Sequence, residues 1–485
     1  MSRRRTGKLA AIDLGATSGR VMLADVSAGS FEIRQVTRFA NEPVYLWNGK
    51  RSVMHWDIAR LFLDICNGLA ETGRQAPDLV GVGIDSWAVD YGLLRNGALA
   101  GLPHHYRDTR CNDGVDAVHA TLSRQELHAR NGLQFLPFNT VYQLAADRRH
   151  GLLTVADTAL LIPDLMGYWL TGSMTTERTN ASTTGLLGLD GRWDADLMRE
   201  LGLPADLFPA LTEPGTDLGP VLPELAVKLG LSSCRHVNTV ASHDTASAVV
   251  AVPMAAESAV YISCGTWALV GVEVSQPVLD EAARSANFTN EVGADGRIRF
   301  LRNAMGLWLL SESIRQWESD GTKVDIVRLL DEAAACSPPA DVFDVDDPGF
   351  QTPGDMPGRI AQWYSERGLQ APATPAEMTR AIVESLATAF ADGVHAASRL
   401  SGTPAETVHI VGGGARNQLL CQRVADLVGV PVVAGPVEAS AIGNILIQAR
   451  AHGLVSGDLE AVRALVADTD LSQRYQPRRS PAGKM

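Results

Sequence analysis

The sequence predicts an α/β fold made of two halves of like design. A short apolar strand, a small hydroxyl-rich turn and a returning strand stand at Leu9–Asp13, Gly15-Ala16-Thr17-Ser18-Gly19 and Val21–Asp25. The same order recurs about 250 residues later: Ser258–Ser263 alternates as a strand, Cys264-Gly265-Thr266 turns, and Trp267–Val274 returns. At 485 residues the chain has the length of two or three domains. A turn of this kind aims backbone N–H groups and a hydroxyl at one point, which suits a phosphate. Either turn alone is most often only a hairpin. Their pairing carries the weight.

Taken in order, Ser30–Phe39 makes the opening a three-strand meander. Asp57 caps a helix over 58–72, with Ile58, Leu61, Phe62, Ile65 and Leu69 on one face. Leu79–Ile84 is an apolar strand that runs into Asp85-Ser86-Trp87-Ala88-Val89-Asp90. Two acids and a tryptophan at a strand end can grip a polyol, although a turn with Trp87 in the core is the plainer reading. Residues 103–113, with Arg107, Asp108 and Arg110, form a polar loop that rims a site or merely pairs its own charges. Helical patterns follow at 124–131, 140–150 and 155–170, the last with a start signal at Pro163-Asp164. Thr175–Thr184 is a run of hydroxyl and amide side chains, either low complexity or the lining of a pocket.

Residues 190–240 are peripheral, and the repeat places a boundary at 243, giving domains 1–243 and 244–485. In the second half, strands at 287–290 and 297–301 flank a small turn, and Asn303-Ala304-Met305-Gly306 enters an amphipathic helix over 307–318. A long helix at 375–400 opens on Thr374-Pro375 and stops near Gly402. Thr407–Val411 runs into Gly412-Gly413-Gly414 and a helix over 418–428; glycines there let a backbone approach a flat or charged ligand. The spacing is neither that of a P-loop nor that of a Rossmann site. Val432–Ala434 is a last strand, and Pro436–Ser440 caps a helix over 441–451.

The chemistry concentrates at 241–271. Ser242-His243-Asp244-Thr245 precedes an alanine-rich run, so Asp244 opens a helix, where the dipole favours the carboxylate form. A proton acceptor and a phosphate cradle thus lie about twenty residues apart.

Composition narrows the classes. A net charge of −13 argues against a nucleic-acid surface, and only Arg3-Arg4-Arg5 and Arg478-Arg479 are locally basic. The most apolar window, 246–262, contains Pro253 and Glu257, which argues against a membrane span. No signal peptide is visible, because Asp13 breaks the first apolar run. The six cysteines show no CxxC spacing, so a reduced, cytoplasmic setting is expected, without zinc or a disulfide framework. The adjacent pair His104-His105 has no accompanying ligand set.

These pieces together resemble the FGGY family of carbohydrate kinases, within the actin-like, sugar-kinase and chaperone ATPase superfamily. The resemblance rests on Asp13–Arg20, Ile84–Asp90, Thr179–Thr184, His243–Ser247, Gly265-Thr266-Trp267, Asn287–Asn290, Asn303 with Met305–Trp308, Gly412–Gly414 and Gly435–Ser440. It implies two RNase-H-like domains with an interdomain cleft, ATP mainly on the second and a small ketose mainly on the first. By position it implies Asp244 as catalytic base, and His243, Asp244, Thr245, Ala88 and Asn303 on the sugar, with Trp87 and Asp90 beside them. Ala16, Thr17, Ser18, Gly19 and Arg20 match the first phosphate loop, Gly265 and Thr266 the second, and Gly413 and Gly414 an adenine-nucleotide contact. Mg²⁺ is the implied cofactor, with Asp13 its ligand, directly or through water. Relatives usually carry Gly at Ala88, Ser at Cys264 and Gln at Ser311, and Ser311 is not carried over. Cys264 beside the phosphate loop predicts sensitivity to thiol oxidation. Another ketose or polyol of the same family (L-fuculose, xylulose, a signalling furanone) is the competing substrate class, and a non-kinase actin-like ATPase switch the competing function. The expected assembly is a monomer or small homo-oligomer, with no nucleic acid or membrane partner.

Overall fold

The computed structural model describes residues 6–469 and 471–478; Arg3–Arg5 and Arg479 lie outside them. By its internal contacts the chain forms two compact units. The first comprises Met1–Pro253, Ser275–Arg299 and Ala439–Asp468, and the second Met254–Val274, Phe300–Glu438 and Thr469–Met485. The repeat in the sequence ends the first half at 243. The contacts carry the first unit on to Pro253, because the helix that opens at Asp244 packs within it.

The first unit opens as the expected meander: β1 (Thr6–Leu14), β2 (Ser18–Ser27) and β3 (Ser30–Ala40), each antiparallel to the one before. Helix α1 (Ile58–Gln75) is capped by Asp57, whose carboxylate accepts from the Arg60 N–H, and it buries Ile58, Leu61, Ile65 and Leu69. The chain returns as β4 (Leu79–Ser86), parallel to β1 and buried along nearly its whole length.

Helices Arg124–Asn131 and Thr140–Arg149 lie where their periodicity puts them. The expected helix over 155–170 begins late. Its first turn is instead a strand, β5 (Thr158–Leu161), paired antiparallel with Tyr91–Leu94, and α2 (Ile162–Thr171) follows with Pro163 in its first turn. A non-local pairing partner overrides the local helical pattern there. Strand β6 (His236–Asn238) adds parallel to β4, giving the order β6-β4-β1-β2-β3. Helix α3 (Asp244–Val250) then closes this part of the unit.

The second unit repeats the plan. Strands β7 (Ala259–Cys264) and β8 (Trp267–Val274) form the second hairpin, and β9 (Ile298–Met305) lies beside β8. Helix α4 (Trp308–Ser319) follows, then the long α5 (Pro375–Ser401), which begins with a capping box of Thr374 and Glu377 and ends at Gly402 in the left-handed region. Strand β10 (Thr407–Val411) runs parallel to β7, helix α6 (Gln418–Val428) follows the glycines, and β11 (Val432–Ala434) extends the sheet. In the first unit the meander lies on one side of β1 and the parallel strands β4 and β6 on the other; in the second, β8 and then β9 lie on one side of β7, and β10 and β11, parallel to it, on the other.

The chain re-enters the first unit as α7 (Ala439–Ala451) and ends in the second unit's sheet as β12 (Gln473–Tyr475). Helix α7 is buried and brings two amides to the sheet. Asn444 Nδ2 donates to Asp85 Oδ2 at 2.6 Å, and Gln448 Nε2 donates to the Ala10 carbonyl at 3.0 Å. Gly83 makes room for both, since a Cβ there would meet Asn444 Oδ1 at 2.5 Å and Gln448 Nε2 at 2.6 Å.

Candidate active site

Four sequence-distant segments meet in the first unit. Strands β1 and β4 end side by side, with Asp13 opposite Asp85 in the register. The Trp87 N–H donates to the Leu14 carbonyl at 3.0 Å, and the Ser86 N–H to the Ser242 carbonyl at 2.9 Å. The fourth segment is 177–184. Glu177, fully buried, accepts at Oε1 from Thr179 N (2.9 Å). At Oε2 it accepts from Thr179 Oγ1 (2.6 Å), Asn180 N (3.2 Å), Ser242 N (3.0 Å) and Ser242 Oγ (2.7 Å). This carboxylate, which sequence reasoning missed, ties the hydroxyl-rich run to the segment bearing Asp244. Its signal was an acid, followed by Arg178, inside a stretch otherwise of hydroxyl and amide side chains.

Asp244 opens α3, and its side chain keeps 29 % exposure. Oδ1 accepts from Thr245 N at 2.6 Å and lies 3.5 Å from His243 Nε2. Burial, reinforced by the neighbouring Asp13 carboxylate and opposed by the hydrogen bonds from Thr245, lifts its carboxyl above its ordinary value. That corrects the expectation from the helix dipole: in a helix of seven residues, desolvation and a neighbouring carboxylate outweigh it. Asp85 is raised further, by burial and then by Asp13, against the Asn444 hydrogen bond.

The first loop is braced. Gly15 N–H donates to the Ser18 carbonyl at 3.0 Å, and Asn41 holds the Gly15 and Thr17 carbonyls through Nδ2 (2.9 Å) and N (3.0 Å). Ala16 and Ser18 are half-buried and Thr17 exposed, while Gly19 packs beneath the Phe39 ring. Arg20 donates from Nε and Nη2 to Asp13 Oδ2, at 2.9 and 2.7 Å.

Asp13 is therefore partly committed to a cation already. Among the described residues no group of three or more His, Cys, Asp or Glu is arranged to hold a metal ion. A Mg²⁺ that keeps its waters and phosphate oxygens needs only one or two carboxylates. Buried Asp85 Oδ1, without a hydrogen-bond partner beside Asp13, is the acceptor such an ion or its water would satisfy. The residues fit.

Of the 85–90 stretch, Ala88 is the half-exposed member. Trp87 and Asp90 are buried. Asp90 Oδ2 accepts from Trp56 Nε1 (2.6 Å) and Trp87 Nε1 (3.0 Å), and Oδ1 from Gln143 Nε2 (2.8 Å). With its oxygens so engaged, Asp90 is a strut rather than an acceptor for a sugar hydroxyl. Val89 lies at φ +68°, and the Asp90 N–H bonds back to the Ala88 carbonyl at 2.9 Å, a tight turn unusual for a β-branched residue.

The second unit holds the other cradle. Gly265 is exposed and Thr266 half-exposed between β7 and β8. Gly306, before α4, lies against that turn: a Cβ there would meet Trp267 C at 2.6 Å, Gly265 O at 2.7 Å and Thr266 O at 2.8 Å. Gly412 sits at φ +79°, and Gly413 is exposed. Gly414, expected at the nucleotide, is buried against the Cys264 side chain and serves packing. Asn303 lies on β9 in this unit, half-buried. Cys264 is fully buried and burial pushes its thiol up, so the expected oxidation sensitivity is not supported: a desolvated neutral thiol is a poor nucleophile. All six cysteines are free, and no helix among the described residues is long and apolar enough to cross a membrane.

Two like units, each opening on a hairpin whose turn bears glycine and threonine, with Asp244 near Asp13 in the first, have the build of a sugar kinase. The N-terminal domain of the FGGY family of carbohydrate kinases matches residues 9–251, and its C-terminal domain residues 260–452. The chain belongs to this family and is an ATP-dependent carbohydrate kinase. Within it, the chain is 41 % identical to the rhamnulokinase of Enterobacter sp. (strain 638), covering 90 % of this chain and 88 % of that one. It is 37 % identical to the rhamnulokinase of Bacillus subtilis (strain 168), over 96 % and 95 % of the two chains. Its fold matches the crystal structure of gluconate kinase from Lactobacillus acidophilus with a TM-score of 0.76 at 18 % identity, over 98 % and 94 % of the two chains.

Proposed function

We propose that the chain transfers the γ-phosphoryl group of ATP to the primary hydroxyl of L-rhamnulose, giving L-rhamnulose 1-phosphate and ADP in L-rhamnose catabolism. The similarity to rhamnulokinases over nearly the whole chain supports the substrate. The observation that carries the chemistry is Asp244: an exposed-edged carboxylate, lifted in proton affinity and fixed by His243 and Thr245.

A primary hydroxyl is a weak nucleophile at neutral pH, so Asp244 accepts its proton as the new P–O bond forms. A base of this kind contributes about 10²- to 10⁴-fold. Ala88, His243, Thr245 and Asn303 contact the ketose. The loop Ala16–Arg20, the Gly265-Thr266 turn and Gly413 hold the nucleotide through backbone N–H groups and hydroxyls. Asp13 and Asp85 would hold Mg²⁺, in part through water, and the ion would supply neutralisation of charge on the phosphoryl oxygens.

A panel of ketoses in an ADP-release assay tests the substrate, and Asp244→Asn tests the base. L-Rhamnulose should give the highest kcat/KM. The variant should bind ATP normally while losing sugar-dependent turnover; near-normal turnover in it removes Asp244 from the role. A second reading, another ketose, is favoured by Ala88, whose methyl group occupies a half-exposed position where the family resemblance implies glycine. A clear preference for L-fuculose or xylulose in the same panel would establish it.

A further inference from the structure

His243 sits between two carboxylates and a guanidinium. Its Nε2 lies 3.5 Å from Asp244 Oδ1. On the opposite edge, Nδ1 lies 3.1 Å from Arg299 Nη2, in hydrogen-bond geometry, and 3.4 Å from Glu291 Oε2. Arg299 is fully buried, its Nη2 stands 3.0 Å from Glu291 Oε2, and its Nε and Nη2 also donate to the Val292 carbonyl. These residues all belong to the first unit.

A guanidinium stays protonated and has only N–H groups to offer. The nitrogen at which it points must therefore present a lone pair. A proton on Nδ1 would set donor against donor at 3.1 Å, and would leave the Nε2 lone pair facing the lone pairs of Asp244. With Nδ1 accepting from Arg299, the ring proton is on Nε2, aimed at Asp244 Oδ1. We propose that Arg299 is a positioning residue that fixes His243 as the neutral Nε2–H tautomer, directed at Asp244. The tautomer stands on geometry alone; its catalytic meaning rests on the assignment of Asp244 as base.

The arrangement resolves a conflict. The base needs a fixed orientation, yet a full positive charge 3.5 Å away would lower its proton affinity on the order of 10³-fold at an effective dielectric of about 20. A neutral N–H orients the carboxylate at a far smaller loss of basicity. Glu291 serves Arg299: although burial opposes it, the guanidinium holds the Glu291 carboxyl below its ordinary value, so the deep cation has an ionised partner.

The test is ¹⁵N-histidine NMR on the full chain at pH 7, recording long-range ¹H–¹⁵N couplings. The His243 signal is assigned by its loss in His243→Gln. The expected pattern in the wild type is an unprotonated Nδ1 and a protonated Nε2. Arg299→Met should move the proton to Nδ1, now free to donate to Glu291, and lower kcat by about ten- to a hundredfold with KM for ATP unchanged. Glu291→Gln retains the guanidinium and should retain the wild-type pattern. A protonated Nδ1 in the wild type, an unchanged pattern in Arg299→Met, or a reversal in Glu291→Gln would overturn the proposal. Should Arg299→Met fail to fold, the wild type and Glu291→Gln still decide. An enzyme that phosphorylates no ketose yet shows the expected pattern would sink the base assignment and leave the tautomer standing.

Discussion

Replacing Glu177 probes how the site is held, because the consequence can be counted. Its Oε2 takes four donors and its Oε1 one, three of the five being backbone N–H groups, of Thr179, Asn180 and Ser242. Glu177→Ala leaves those three buried N–H groups without an acceptor, at about 1–3 kcal/mol each. Part of this is offset, since Asp164, held well above the ordinary range by burial and by Glu177, is relieved of a charged neighbour. The expected net loss is about 3 kcal/mol. Glu177→Gln can keep its amide oxygen at the four-donor position, and its NH₂ then faces the Thr179 N–H; one bond is lost, about 1 kcal/mol. Urea unfolding at pH 7, followed by tryptophan fluorescence and analysed with the measured slopes, reads both values. The ADP-release assay should show turnover falling in the same order, because Ser242 adjoins His243 and Asp244. An alanine variant within 1 kcal/mol of wild type, or a glutamine variant worse than alanine, would refute the hub role.

Gly443→Ala tests the packing of α7 on α3, because its Cβ would overlap the Ser247 carbonyl oxygen. A loss of about 1–3 kcal/mol is expected from such overpacking, and an unchanged melting temperature would contradict the close approach. Gly306→Ala should displace the Gly265-Thr266 turn, weakening ATP binding at least about tenfold, or 1.4 kcal/mol, with ketose affinity unchanged; calorimetry with each ligand separates the two. For Asp90, burial lifts the carboxyl from 3.8 to about 6, against hydrogen bonds from Gln143, Trp56 and Trp87. Because the folded value is the higher, the folded chain holds the proton longer than the unfolded one. Its contribution is full below about pH 4 and lost as pH rises through 6, about 3 kcal/mol in all. Asp90→Asn should flatten that stretch of the stability–pH curve, and parallel slopes for the two proteins would contradict the shift.

Local signals made much of the fold legible. Asp57 and the Thr374–Glu377 box announce helix starts through side chains that satisfy the first N–H groups, and Gly402 ends α5 where a left-handed residue is needed. The two hairpins were readable because alternation and a small turn suffice to specify them. Where a partner lay far along the chain, local reading failed. Residues 158–161 carry a helical pattern, yet they pair with Tyr91–Leu94 as a strand.

The site divides along the same line. Asp244, His243, the Gly15-Ala16-Thr17 and Gly265-Thr266 turns and Gly413 could be named as candidates from the sequence, since each sits in a short motif whose chemistry is local. Tertiary structure alone decided their condition: Asp13 joined to Arg20, Asp90 enclosed by two indoles, Gly414 under Cys264, and Glu177, Glu291 and Arg299 drawn in from elsewhere. The sequence by itself determined how each half is built and which side chains stand as candidates for the proposed chemistry. Protonation, orientation and accessibility depend on desolvation and on charges within a few ångströms, and only the folded chain brings those together.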